Sequence, residues 1–239
     1  MKKQAMLLVL VVAFLHAASF SQTKDSATEW FKSGLDKYER KEYQGAIADF
    51  TNAISLKPDY AEAYYGRGGV KSDLKDYQGA IVDFTKAIEL KPNFPEPYND
   101  RGTAKARLGD NQGAIADFTK AIGLKPKLAA AYYSRGGARA DIEDYQGAIA
   151  DYTRAIELTP NDVEAFLDRG SAKSSLEDYR GAIADFTIAI GLKPDYAEVY
   201  CNRGTAYLKL NQKEKALADF RRAMELGYRV SQDVLDMCK

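Results

Sequence analysis

The sequence predicts an all-α protein built as a solenoid of stacked helix pairs. Three observations carry this. Residues repeat at a strict period of 34 with no insertion: Pro58, Pro92, Pro126, Pro160 and Pro194 keep it, as do Phe50, Phe84, Phe118, Tyr152, Phe186 and Phe220. Within each period the apolar residues step by three and four, the signature of one helix face. Nothing in the repeated region alternates at period two, as a strand would.

The chain opens with Lys2 and Lys3, an apolar run from Ala5 to Leu15, and the small-residue stretch Ala17-Ala18-Ser19-Phe20-Ser21. A basic start, a short apolar run and small residues before a cut fit a secretory signal peptide over residues 1–21, cleaved near Ser21. The alternative is a retained anchor, but the run falls short of the ~20 apolar residues needed to span a bilayer. Residues 22–26 form a short leader. The expected location is exported, periplasmic or extracellular, with no membrane insertion of the mature chain.

Six copies follow: 27–60, 61–94, 95–128, 129–162, 163–196 and 197–230. In the second copy the first helix is expected from about Ala61 to Leu74, with Tyr64, Arg67, Gly68, Lys71 and Leu74 at helical spacing. The second helix is expected from about Asp76 to Leu90, with Tyr77, Ala80, Ile81, Phe84, Ala87 and Ile88 on its apolar face. Asp76, Asp110, Asp144 and Asp178 are candidate N-caps for the second helices. Pro92 and its equivalents stop them. Asp59 with Glu62, Asn93 with Glu96, Asn161 with Glu164 and Asp195 with Glu198 have the three-residue spacing of capping boxes for the first helices. Gly68 and Ala80, like Gly102 and Ala114, permit close approach within a pair. One pair cannot bury its apolar face alone, so the pairs must stack. The tail, 231–239, places Val234, Met237 and Cys238 at helical spacing and is expected to form a capping helix over the last copy.

Composition restricts the chemistry. Lys plus Arg and Asp plus Glu are both 34, so bulk charge recruits neither nucleic acid nor an anionic membrane. Removal of residues 1–21 takes two Lys and leaves 32 basic against 34 acidic residues. It also takes His16, the single histidine. Histidine is the commonest general base and metal ligand near neutral pH. The mature chain is therefore expected to hold no His-dependent triad, no His-based metal site, no catalytic residues and no cofactor. Cys201 and Cys238 read as two isolated small hydrophobes, with a disulfide as the alternative in an oxidising compartment.

The copies resemble the tetratricopeptide repeat, a 34-residue helix–turn–helix module. Copy one carries Trp30, Gly34, Ala46, Phe50, Ala53 and Pro58 at the family's marked offsets; copy five carries Phe166, Gly170, Ala182, Phe186, Ala189 and Pro194. Copy six departs, with Tyr228 in place of the proline. The resemblance implies a right-handed α–α superhelix with the first helices on its concave side. It also implies a non-catalytic scaffold that binds a protein or peptide segment. Fold alone does not assign function.

One position departs from the family. Where a large apolar residue usually precedes the glycine, this chain has Arg67, Arg101, Arg135, Arg169 and Arg203, with Ser33 in copy one. A buried, unpaired arginine costs several kcal/mol, so each should meet a carboxylate. Asp49, Asp83, Asp117, Asp151, Asp185 and Asp219 form a matching row on the second helices. Pairing within a copy would leave Asp49 without an arginine. Pairing between copies would join Asp49 to Arg67, Asp83 to Arg101, Asp117 to Arg135, Asp151 to Arg169 and Asp185 to Arg203. The second scheme accounts for Ser33, because copy one has no predecessor. An inter-copy ion-pair ladder is the expectation.

By the resemblance, the concave groove is lined by first-helix positions that vary while the frame repeats. These are Phe31, Tyr65, Asn99, Tyr133, Leu167 and Cys201, and then Leu35, Gly69, Thr103, Gly137, Ser171 and Thr205, with Asp73, Asp141 and Arg107 near the rim. The peptide-binding candidates are Phe31, Tyr65, Asn99, Thr103, Arg107, Tyr133 and Leu167, with Tyr65 and Tyr133 as anchors. Some family members grip a terminal carboxylate with Lys and Asn; that Lys is absent here. The functional expectation is an exported scaffold in a cell-envelope assembly. The alternative is a structural, self-associating solenoid without a peptide ligand.

Overall fold

The computed structural model describes residues 26–238. The proposed signal peptide and most of the leader lie outside the described residues. The described residues divide into two compact units, 26–110 and 111–238. The first contains α1 (26–39), α2 (Tyr43–Leu56), α3 (Ala61–Asp73), α4 (Tyr77–Leu90) and α5 (Pro95–Arg107). The second contains α6 (Asn111–Leu124), α7 (Ala129–Ala140), α8 (Tyr145–Leu158), α9 (Val163–Ser175), α10 (Tyr179–Leu192), α11 (Ala197–Lys209), α12 (Lys213–Glu225) and α13 (Gln232–Asp236). No strand occurs among the described residues.

From α2 to α5 in the first unit and from α6 to α12 in the second, each helix packs on its sequence neighbours. The first helices of successive copies also touch: α3 meets α5, α7 meets α9, and α9 meets α11. The first helices therefore form a continuous face within each unit.

Local chemistry ends each helix where it does. Asp76, Asp144 and Asp178 accept from the backbone N–H of Gly79, Gly147 and Gly181, satisfying a donor that the helix start leaves open. The capping carboxylate sits so close over each glycine that a Cβ there would collide with it. The turn inside each copy passes through one left-handed residue: Lys41, Lys75, Gly109, Glu143, Glu177 or Asn211. The capping boxes expected for the first helices are not formed. Tyr60, Phe94 and Tyr196 are the N-caps of α3, α5 and α11 and make no side-chain cap bond; in α9 the cap is Asp162, which accepts from Ala165. The helices start one residue later than the spacing suggested, because the turn after the proline consumes one more residue. Glu62 is thereby released to pair with Lys91 at 2.8 Å.

The core of each unit holds aromatic rings packed under glycines. Phe50, Phe84, Phe118, Phe186 and Phe220 are fully or almost fully buried. A Cβ on Gly68 would lie 2.7 Å from the Phe84 ring, and one on Gly170 would lie 2.6 Å from Phe186. The first and second helices approach most closely at these points, and only glycine permits it.

The ion pairs follow from that approach and correct the expected pairing. Arg67 is joined to Asp83 by Nε–Oδ2 and Nη2–Oδ1 bonds of 2.9 and 2.7 Å. Arg135 holds Asp151, Arg169 holds Asp185 and Arg203 holds Asp219 by the same two-pronged fork. The pairs lie within a copy. The expected Asp49–Arg67, Asp151–Arg169 and Asp185–Arg203 pairs are replaced by these. The reason is positional: each arginine precedes the glycine, and each aspartate precedes the aromatic, that meet at closest approach.

The arginine nevertheless links copies, through threonine. Nη1 of Arg67, Arg101, Arg135, Arg169 and Arg203 donates at 3.0 Å to Oγ1 of Thr51, Thr85, Thr119, Thr153 and Thr187 in the preceding copy. The hydroxyls of Thr51, Thr119, Thr153 and Thr187 donate in turn to a carbonyl one helical turn back. A second cation completes several carboxylates: Lys71 on Asp83, Arg139 on Asp151 and Lys173 on Asp185. In copy one, Ser33 and Lys37 together satisfy Asp49 at 2.6 and 2.8 Å.

The tail packs as a cap. Val230, Val234, Leu235 and Cys238 join the cluster around Ala216 and Phe220. Met237 does not: it is 60% exposed, because α13 ends at Asp236 and Leu235 takes the inward place. Both cysteines are free thiols.

A double-mutant cycle tests the frame. Arg67→Leu with Asp83→Asn should show a coupling of about 1 kcal/mol or more in urea unfolding, whereas Arg67→Leu with Asp49→Asn should add to within about 0.5 kcal/mol. Equal coupling in both cycles would overturn the assignment.

Candidate functional site

The face made by the first helices carries the residues singled out as groove candidates, and their geometry separates them. Phe31 stacks on Phe50 and Tyr60 with ring centres 5.7 and 5.0 Å apart. Tyr65 leans on Phe84 and Phe94 at 5.9 and 5.1 Å, and its hydroxyl donates to Asp100 Oδ2 at 2.8 Å. In the second unit Tyr133 leans on Tyr152, and its hydroxyl donates to Asp168 Oδ2 at 2.7 Å. Both tyrosines are half-buried and tie their own first helix to that of the next copy, so they are not free anchors. Leu167 belongs to the core: it is 6% exposed and packs with Phe166, Phe186 and Val199. Asn99 is half-buried, and its Nδ2 donates to Asp100 Oδ1 at 3.0 Å. Arg107 is exposed at the end of α5.

Three Tyr–Asp bonds follow one rule. Tyr38–Asp73, Tyr65–Asp100 and Tyr133–Asp168 are all separated by 35 residues, one more than the period, so each joins neighbouring first helices. Periodicity alone did not mark Asp100 and Asp168 as candidates, because they lack counterparts in the other copies: Lys32, Gly66, Ser134 and Asn202 stand there. The recurring 35-residue Tyr-to-Asp spacing was the available signal.

In the first unit a cavity opens on this face. It has about 210 Å³ and is bounded by Tyr38 from α1, Gly69, Ser72 and Asp73 from α3, and Asp100 and Thr103 from α5, with Phe84 beneath. Of the groove candidates it brings in Thr103; Tyr65 stands behind it through Asp100.

The electrostatics of the face are unusual for the carboxylates. Burial pushes Asp100 and Asp168 above the ordinary carboxylate range, against the lowering effect of the tyrosine hydroxyls. Glu96 raises Asp100 further, and Glu198, Asp162 and Glu164 raise Asp168. Burial, then the Asp73 bond, lifts the Tyr38 phenol to about 12. Tyr65 and Tyr133 are lifted further, first by burial. Asp100 and Asp168 accept only from neutral donors, unlike the frame aspartates with their arginines. Among the described residues, no three His, Cys, Asp or Glu side chains come together to hold a metal ion.

Comparison with known proteins follows the geometry. Models of the tetratricopeptide repeat match residues 61–94 and 197–226 and, separately, residues 99–163; a TPR-repeat model matches 34–74 and 170–211. The chain belongs to the tetratricopeptide repeat family. No curated protein matches it. Among solved structures, the TPR chain is similar to MamA, at 29% identity over 66% of this chain and 93% of that one, with a TM-score of 0.65. It shares its fold with YrrB, a TPR protein with an unusual peptide-binding site, at 23% identity over 79% and 95% of the two chains and a TM-score of 0.67. It also shares its fold with PilF of Pseudomonas aeruginosa, at 13% identity over 86% and 94% and a TM-score of 0.73. No described helix is long and apolar enough to cross a membrane.

The buried carboxylates make a pH prediction. Asp168 has a folded-state pKa above its unfolded value, so any stability it contributes is present below the ordinary carboxylate range and is lost as pH rises through the folded pKa. Asp168→Asn keeps an acceptor for Tyr133 and removes the charge. Its urea midpoint should equal or exceed that of the wild type at pH 7, and the difference should close by about pH 3, below the reference Asp value. A variant less stable than the wild type at pH 7 by more than about 1 kcal/mol would contradict this.

Proposed function

We propose that this TPR protein is a non-catalytic scaffold whose first-helix face takes an extended or helical segment of a partner protein. The observation that carries it is the continuity of that face combined with its variability. Within each unit the first helices touch, while the residues at one first-helix position, Phe31, Tyr65 and Asn99 in the first unit and Tyr133 in the second, differ from copy to copy. A surface with only a packing role would repeat as Gly68, Ala80 and Phe84 do. The fold shared with YrrB, which has a peptide-binding site, supports this reading. The absence of histidine after His16 supports a role without acid–base catalysis. Against end-to-end self-assembly stands α13, which covers the apolar face of the last copy.

We further propose that the protein is exported and acts in the cell envelope, on the strength of the Lys2–Ser21 segment. Sequencing the N-terminus of the protein recovered from its host should find Gln22 first. An intact Met1 or Lys2 start would refute export by this signal.

The groove assignment is tested by placing a photo-crosslinking amino acid at Thr103 on the first-helix face or at Val82, which is 60% exposed on α4. In the native host, Thr103 should yield a discrete protein adduct that Val82 does not. Adducts of equal yield from both positions, or from Val82 alone, would sink the assignment.

A further inference from the structure

We infer that the cavity between α1, α3 and α5 is a receptor for one basic side chain, lysine or arginine, of the bound segment. The inference rests on the first-helix reading above and adds the chemistry of its ligand.

Three independent features converge on it. The first is size: about 210 Å³ is below the ~300–1,000 Å³ typical of small-molecule sites and suits one long side chain. The second is charge. The ionisable side chains that line the cavity are the carboxyls of Asp73 and Asp100 and the phenol of Tyr38, with no cation among them. Asp73 accepts from Tyr38, and Asp100 from Tyr65 and Asn99. These neutral donors orient the carboxylates without cancelling their charge. The frame aspartates of the same helix pairs have arginines or lysines, so the chain supplies cations where a carboxylate is structural. A partly buried carboxylate held without a counter-charge is characteristic of a site awaiting its ligand. Ser72 and Thr103 add hydroxyls, whose oxygens can accept from an ammonium or guanidinium.

The third is Gly69. It lies inside α3, where glycine is a poor helix former. Its neighbour Gly68 is explained by the Phe84 ring, but a Cβ on Gly69 would meet nothing within 4 Å. Packing does not require this glycine. It lines the cavity, and its missing side chain leaves that space open.

Gly69 also provides the test. Gly69→Leu fills the cavity, leaves the net charge unchanged and meets no core atom, so its melting temperature should be retained or should rise. Random peptides displayed on phage are selected on the full chain, and the recovered peptides are measured against wild type and variants by fluorescence anisotropy. The expected result is selection of peptides rich in Lys or Arg, whose affinity drops about tenfold or more with Gly69→Leu. Asp100→Asn and Asp73→Asn should weaken them and reduce their salt dependence. Selected peptides without basic enrichment would overturn the inference and leave the peptide-binding reading standing. Basic peptides that bind wild type and Gly69→Leu equally would show charge attraction without the cavity, and would also overturn it. Recovery of no peptide at all would overturn the first-helix reading itself.

Discussion

A carboxylate buried to a few per cent exposure must have its charge met, and this chain buries one in every copy: Asp49, Asp83, Asp117, Asp151, Asp185 and Asp219. The demand is severe, because breaking a buried pair by removing one partner costs about 3–5 kcal/mol. For Asp83, Asp151, Asp185 and Asp219 the arginine fork answers it within the copy. Its remaining donor reaches back to a threonine hydroxyl of the copy before, and the flat guanidinium lies near the aromatic ring three residues upstream, as Arg67 does with Tyr64 at 5.6 Å. One side chain thus sets the angle of a helix pair and the register of the next pair upon it. Lysine could not serve, since a point charge cannot hold both carboxylate oxygens and a hydroxyl in one plane.

This constraint explains the departures at the two ends. Ser33 replaces arginine where there is no earlier threonine to reach, and Lys37 supplies the charge on Asp49. Arg221 replaces threonine in the last copy, where no following arginine requires an acceptor. Tyr207 stands where other copies have Lys or Arg, and it lies beside Arg203, with ring centre and guanidinium 5.8 Å apart. Functional contrast arises against the same background. The frame aspartates are neutralised by cations, whereas Asp100 and Asp168 meet only hydroxyls and an amide. Two populations of carboxylate on adjacent helix faces are thus distinguished by their partners, and the second population faces the surface proposed to receive a ligand.

Much of the frame is legible in the sequence. The strict period located the helices to within a residue or two, and the prolines and Asp76-type caps marked their ends. The pairing of arginine with aspartate is legible in kind, but the partner within the copy is set by the helix approach. The number that decides it was present: Arg67 to Asp83 spans 16 residues, as does Gly68 to Phe84, the contact that brings the helices together. The absence of arginine in copy one goes with the threonine row, since Ala17 and not a threonine stands sixteen residues before Ser33. At the candidate site, Thr103 lines the cavity, whereas Leu167 lies in the core. An apolar residue at a variable position can turn inward when its neighbours leave room, and a sequence pattern does not report that room.

The sequence by itself determined the all-helical class, the six-copy organisation and the residue types available for chemistry, because these depend on local periodicity and on composition. Tertiary structure decided which charges meet, which tyrosines are committed and where a cavity opens. Those outcomes depend on distances between helices, and such distances are set by contacts 16 or 35 residues apart. A glycine at position 68 and a glycine at position 69 look alike in the chain. Only the packed helices show that one accommodates the ring of Phe84 and the other leaves space unfilled.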